Sequence, residues 1–169
     1  AMVAEGRPFK GCLYFGLMLT PKGAKVIEYN CRFGDPETQV VLPLLKSDLL
    51  EIMQAVEDER LADVNVEFSD GAACCVVVAS KGYPQKYETG FEVTEGKLPE
   101  NATVFHAGTK LFENRIVTSG GRVLGVTATD ENLVKAVAEA YNAVKFVHFD
   151  NEYYRKDIGK KALDKLADN

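Results

Sequence analysis

The sequence contains no run of Lys or Arg, no wholly apolar stretch longer than Ala72 to Ala79, no C-x-x-C pair, and no internal repeat or low-complexity tract. Each absence narrows the function. Without a basic stripe, and with a formal net charge of -5, the chain is a poor partner for nucleic acid or an anionic membrane surface. Its longest apolar run falls far short of the roughly 20 residues that span a bilayer. The opening "AMVAEGRPFKG" lacks the apolar centre of a signal peptide, so a cytoplasmic protein is expected. Cys12, Cys31, Cys74 and Cys75 lie among apolar neighbours and read as buried free thiols in a reducing compartment. His106 and His148 are isolated in apolar surroundings, without the partner spacing of a metal site.

What is present is ordinary in bulk. Hydrophobic residues make up 46% and charged residues 27% of 169 residues, enough for one domain or two small ones with a real core. "CLYFGLML", "TPKGA" and "KVIEYNCR" predict a β-hairpin with a Pro/Gly loop over Thr20 to Ala24. Asp35 followed by Pro36 predicts a helix start, with the helix "PETQVVLPLL" interrupted near Pro43. A second helix, "DLLEIMQAVEDERL", takes Ser47 as its cap. Beyond a boundary between Arg60 and Gly71 the chain turns to β. Two strand-like runs flank a Ser-Asp-Gly turn, Gly and Pro recur, and further turns fall at Glu113-Asn114 and Gly120-Gly121. Asp130 then caps an amphipathic helix with apolar Leu133, Val134, Val137, Ala138, Tyr141 and Val144. A short aromatic strand near Tyr153 and a basic helix from Asp157 to Leu166 close the segment.

One stretch, "KVIEYNCRFGDPETQ", breaks the pattern. Side chains alternate along a strand, so Ile27, Tyr29, Cys31 and Phe33 share an apolar face that can pack on a core. Val26, Glu28, Asn30 and Arg32 share the other, with successive members about 7 Å apart. Glu and Asn are hard oxygen donors of the kind that hold Mg²⁺ together with substrate phosphates. Arg32 can fork two hydrogen bonds onto a phosphate or carboxylate. A helix starting at Pro36 would add backbone N–H groups. Two readings stand at this point: a metal and phosphate site, or a solvated strand face on which Glu28 and Arg32 offset each other's charge.

"EYNCRFGDPETQ" closely resembles the signature of the glycinamide ribonucleotide synthetase family, also called phosphoribosylamine–glycine ligases, which are ATP-grasp enzymes of purine biosynthesis. "GLMLTPKGAKVIEYN", "VVLPLLKSDL", "ASKGYP", "VFHAGTK", "TSGGRVLGVTA" and "YYRKDIG" also resemble the family's segments, in the family's order, from about Val3 to Ala162. R-F-G-D-P-E is the specific element; a lone E-x-N would not be. The resemblance implies an α+β fold: the C-terminal part of an ATP-grasp core, antiparallel strands plus helices, over residues 1–66, then a small β-rich C-terminal domain with flanking helices over 67–169. It implies a ligase that joins glycine to 5-phosphoribosylamine with ATP, through a glycyl phosphate.

By the same resemblance Glu28 and Asn30 match the family's Mg²⁺ or Mn²⁺ ligands, and Arg32 the arginine aimed at the transferred phosphoryl group. Asp35 falls near the amine substrate, a weaker assignment. Related ligases often carry another acidic ligand twelve positions before Glu28, where this chain has Gly16. With the loop placed over Thr20 to Ala24, Gly16 faces Glu28, and Met18 on the same face becomes a candidate floor for adenine. Lys81, Gly82, Tyr83, Gly108, Thr109, Gly120 and Gly121 are open between hairpin turns and approach to substrate. The family's enzyme is more than twice this length, so the chain is expected to be a C-terminal portion, inactive alone and prone to self-association. A free-standing, non-catalytic binding or assembly module on the same scaffold is the alternative. R-F-G-D-P-E argues against another ATP-grasp ligase of purine metabolism.

Overall fold

A computed structural model describes residues 2–168, which divide into two compact units. One holds residues 2–38 and 45–69; the other holds 39–44 and 70–168. The elements in chain order are β1 (Tyr14–Thr20), β2 (Gly23–Asn30), α1 (Thr38–Val41), α2 (Leu49–Glu57), β3 (Ala72–Ser80), β4 (Thr94–Glu95), β5 (Ala102–His106), β6 (Thr109–Phe112), β7 (Arg115–Thr118), β8 (Arg122–Asp130), α3 (Leu133–Val144), β9 (Val147–His148), β10 (Glu152–Tyr153) and α4 (Lys160–Ala167). The mixture of antiparallel sheets and helices is the expected α+β class. No helix among the described residues is long and apolar enough to cross a membrane.

In the first unit β1 and β2 form an antiparallel ribbon. Its turn is tighter than the five-residue loop expected: Thr20 pairs with Gly23, leaving only Pro21 and Lys22 between the strands. Gly23 sits at φ 92°, backbone that glycine adopts without strain. An irregularity between Gly16 and Leu17 then shifts the register by one, so Gly16 still faces Glu28. The face of Ile27 and Tyr29, expected to pack on a core, is open: they are 63% and 59% exposed. Phe15 stacks edge-to-face on Tyr29 at 5.1 Å, the ribbon's own cover for part of that face.

α1 corrects the expected helix start at Pro36. Residues 35–37 form a turn, and Thr38 donates both its backbone N–H (3.1 Å) and its hydroxyl to the Gly34 carbonyl. That bond uses the first helical N–H, and four residues make too short a helix for an anion site. Pro43 lacks an N–H, and the chain tightens to a 3-10 turn at Leu42–Leu44. α2 is capped by Asp48 instead of Ser47: its carboxylate accepts from Leu50 N (2.8 Å) and Glu51 N (3.3 Å). Ser47 instead accepts from Glu67 N (2.8 Å). The run 64–68, expected as a strand, forms only an isolated bridge from Phe68 to Leu45.

The second unit is built on a four-stranded sheet in the order β10-β3-β8-β5. Alternate β3 residues Cys74, Val76 and Val78 are buried with Leu124, Val126 and Ala128 of β8 and Ala136, Ala140 and Ala143 of α3. The alanine face of α3 lets the helix lie close, and each Val or Leu buried there is worth about 1.5–3 kcal/mol. Residues 39–44 belong to this unit, with Thr127 Oγ1 donating to the Gln39 carbonyl at 2.9 Å. α3 buries Ala136, Val137, Ala140, Ala143 and Val144, so the apolar face is shifted from the one expected, and Val134 and Ala138 are exposed. Its cap is Asn132, which accepts from Lys135 N at 3.0 Å, and not Asp130. Burial beside Cys75 pushes the Cys74 thiol up to about 11. The expectation of four buried thiols holds only for Cys74: Cys31 is exposed, and Cys12 and Cys75 are half-buried. Nor are the histidines isolated. His106 meets Glu95 at 2.8 Å, and His148 meets Glu152 at 3.0 Å. Gly108 packs so close to Gly120 that a Cβ on it would lie 2.9 Å from the Gly120 Cα, which accounts for those glycines by packing.

Candidate metal and phosphate site

β2 delivers Glu28 and Asn30 to one face by strand alternation, and the structure brings them together. Asn30 Nδ2 donates to Glu28 Oε1 at 3.2 Å. Two oxygen donors on one octahedral Mg²⁺ lie about 3 Å apart, so side-chain ends at this separation fit a shared hard cation once the amide presents its oxygen. Among the described residues no group of three or more His, Cys, Asp or Glu side chains could hold a metal ion.

The bulge corrects the membership of that face. Val26 pairs with Leu17, and Lys25 with Met18. Alternation along β1 keeps Met18 on the side of Gly16, so Lys25 and not Val26 continues the face of Glu28. Met18 is 54% exposed. Gly16 has a local role: a Cβ there would lie 2.9 Å from Glu28 Cγ. The Glu28 side chain lies across the bare backbone of Gly16.

Arg32 does not continue the row. β2 ends at Asn30, and the next two residues bend away. Arg32 Nη1 donates to the Phe33 carbonyl at 2.6 Å, which holds the guanidinium at the end of the ribbon. There it lines a cavity of about 430 Å³ with Cys12, Phe33, Ile52, Met53 and Val56. Asp35 is exposed in the turn before α1.

Two residues escaped the sequence reading, Tyr14 and Glu37. Tyr14 is the register partner of Asn30 and so stands on the same face. Its hydroxyl pKa is raised, first by burial, then by hydrogen bonding to Glu37 and by the charges of Glu37 and Glu28. Glu37 folds over Gly34, where a Cβ would lie 3.0 Å from Glu37 Cδ. The signal was available in part: Glu37 is the last letter of R-F-G-D-P-E, and Tyr14 lies two residues before Gly16 on β1.

Comparison with known proteins identifies the family. The family model "Phosphoribosylglycinamide synthetase, C domain" matches residues 73–161, more than half of the chain. The model "Phosphoribosylglycinamide synthetase, ATP-grasp (A) domain" matches residues 1–38. The chain is 49% identical over 158 residues to the phosphoribosylamine–glycine ligase of Caldanaerobacter subterraneus, covering 94% of this chain and 38% of that protein. It is 52% identical over 169 residues to the trifunctional purine biosynthetic protein adenosine-3 of Gallus gallus, covering 98% of this chain and 17% of that protein. The crystal structure of the Thermotoga maritima phosphoribosylamine–glycine ligase superposes with a TM-score of 0.77 at 37% identity, over 93% of this chain and 39% of that one. The chain thus spans well under half the length of these relatives. A biotin carboxylase domain of Hydrogenobacter thermophilus shares the fold at 14% identity, with a TM-score of 0.54.

Proposed function

The chain belongs to the phosphoribosylglycinamide synthetase family, and from that premise we propose that it supplies the metal and phosphate half of a phosphoribosylamine–glycine ligase. The observation that carries the reading is the Glu28–Asn30 pair, whose carboxylate oxygen and amide nitrogen meet at 3.2 Å on one strand face, with a guanidinium two residues on. In this reading residues 1–66 are the end of the ATP-grasp domain and 67–169 the family's C-terminal domain. The two family-model matches support that division. The substrates are ATP, glycine and 5-phosphoribosylamine; the cation is Mg²⁺ or Mn²⁺; the setting is the cytoplasm.

Glu28 and Asn30 would hold the cation, which when bound offsets charge on the ATP phosphates. Arg32 presents a fork to the γ-phosphoryl group as it passes from ADP to a carboxylate oxygen of glycine. The nitrogen of phosphoribosylamine then attacks the acyl carbon, the C–O bond to phosphate breaks, and the nitrogen gives up a proton as the amide forms. Asp35, exposed at the turn, is positioned as an acceptor on the amine side, and Met18 as an apolar floor for the base. In this reading the α- and β-phosphates are gripped by the remainder of the full-length ligase, so the isolated chain is expected to be inactive. The exposed side chains of Ile27, Tyr29 and Leu19 favour self-association of the isolated chain.

The chemistry has an isotopic signature. Glycine carrying ¹⁸O in both carboxylate oxygens, given to a full-length ligase containing this segment, is expected to transfer one ¹⁸O to phosphate per turnover. Mass spectrometry of the released phosphate checks this. Phosphate free of label would rule out the acyl phosphate route.

A further inference from the structure

We infer that Thr109 is an acyl-acceptor site, its hydroxyl activated by His106 and His106 held by Glu95, with acyl phosphates as the donor class. The site lies in the second unit and does not rest on the reading of Glu28 and Asn30. It begins with two contacts on one imidazole. His106 Nε2 lies 2.8 Å from Glu95 Oε1, and His106 Nδ1 lies 3.1 Å from Thr109 Oγ1. A carboxylate only accepts, so the ring proton sits at Nε2. Nδ1 of the neutral imidazole is then an acceptor, and the Thr109 hydroxyl donates to it. Hydroxyl, imidazole and carboxylate in series are the arrangement by which a base activates a nucleophile.

The fold fixes each member. His106 ends β5, the edge strand of the four-stranded sheet, and Thr109 begins β6. The turn between them is pinned: Ala107 N and Gly108 N both donate to the Val123 carbonyl, at 2.9 and 3.1 Å. Ser119 N donates to the Gly108 carbonyl at 2.7 Å, and Thr109 pairs with Thr118. Turn geometry alone brings Thr109 to His106, but Glu95 comes from β4, so a separate strand sets a carboxylate on the ring's other nitrogen. The His106 and Glu95 side chains are 35% and 32% exposed, and Thr109 is half-buried, so a small reagent reaches the trio. The trio holds a base and its orienter but no acid for a leaving group. A donor whose leaving group departs without taking a proton therefore fits, and acyl phosphates are such donors. In the step, Thr109 Oγ1 attacks the acyl carbon and its proton passes to His106 Nδ1. The C–O bond to phosphate breaks, phosphate leaves with the bonding pair, and an acyl ester of Thr109 remains. On the ligase reading the protein meets one such species, glycyl phosphate; the site stands without it.

The test uses acetyl phosphate as the probe, with a full-length ligase containing this segment and without ATP or glycine. Peptide mass spectrometry locates the added acetyl groups, and neutral hydroxylamine removes esters while leaving acetyl-lysine in place. A hydroxylamine-labile acetyl group on Thr109 is the expected result. Thr109→Ser is expected to keep it and Thr109→Val to lose it. His106→Gln is expected to slow ester formation about 100-fold, and Glu95→Gln at least about tenfold. Acetylation of surface lysines in the same samples is expected to stay unchanged, which separates lost activation from lost reagent or a lost fold. Acetyl groups on lysines alone would overturn the inference. So would a Thr109 ester that forms at the parent rate in either His106→Gln or Glu95→Gln. Both results leave the reading of Glu28 and Asn30 untouched.

Discussion

Glu28→Gln, made in a full-length ligase containing this segment, is expected to lower kcat for ligation by about 100- to 1,000-fold, a loss of several kcal/mol. The side chain keeps its size, and the amide oxygen can still accept from Asn30 Nδ2 as the carboxylate does at 3.2 Å. The ribbon should therefore fold as before, and thermal melting of the variant should match the parent. What is lost is the negative charge that faces a divalent cation among phosphates. Steady-state kinetics at ordinary Mg²⁺ concentration decide the matter. Near-normal turnover would mean that the cation is held elsewhere.

Arg32→Lys is expected to lower kcat roughly 10- to 100-fold while leaving the Michaelis constant for ATP little changed. Lysine keeps the charge but offers a point donor in place of a planar fork, and it cannot keep one nitrogen on the Phe33 carbonyl while presenting the others in fixed directions. A defect confined to the Michaelis constant, with kcat intact, would show uniform binding of ATP and remove Arg32 from the transition state.

The family resemblance implied the α+β class, and the long elements were found where periodicity is strong. The alternation of Glu28 and Asn30 was readable for the same reason, since side-chain period in a strand is fixed at two. The alternation failed where the strand did. β2 stops at Asn30, so Arg32 is placed by a bend and by its bond to Phe33, neither of which has a periodic signature. The turn was misjudged by its Pro and Gly, yet the shorter turn and the bulge cancel, and Gly16 still meets Glu28. Ser47 and Asp130 are good caps by type, but Asp48 and Asn132 lie one and two residues nearer the helix and take the role. Tyr14 stayed hidden because its place opposite Asn30 depends on the register of β1 against β2, which no local pattern encodes.

The most direct measurement of the central claim is formation of glycinamide ribonucleotide from glycine, 5-phosphoribosylamine and ATP, run side by side on the 169-residue chain and on a full-length ligase containing it. Product from the full-length protein and none from the isolated chain is the expected result, because two protein donors need phosphates gripped by another part of the enzyme to complete the cation's shell. Turnover by the isolated chain at the full-length rate, or none by the full-length protein, would contradict the assignment of this segment as the metal and phosphate half of the site.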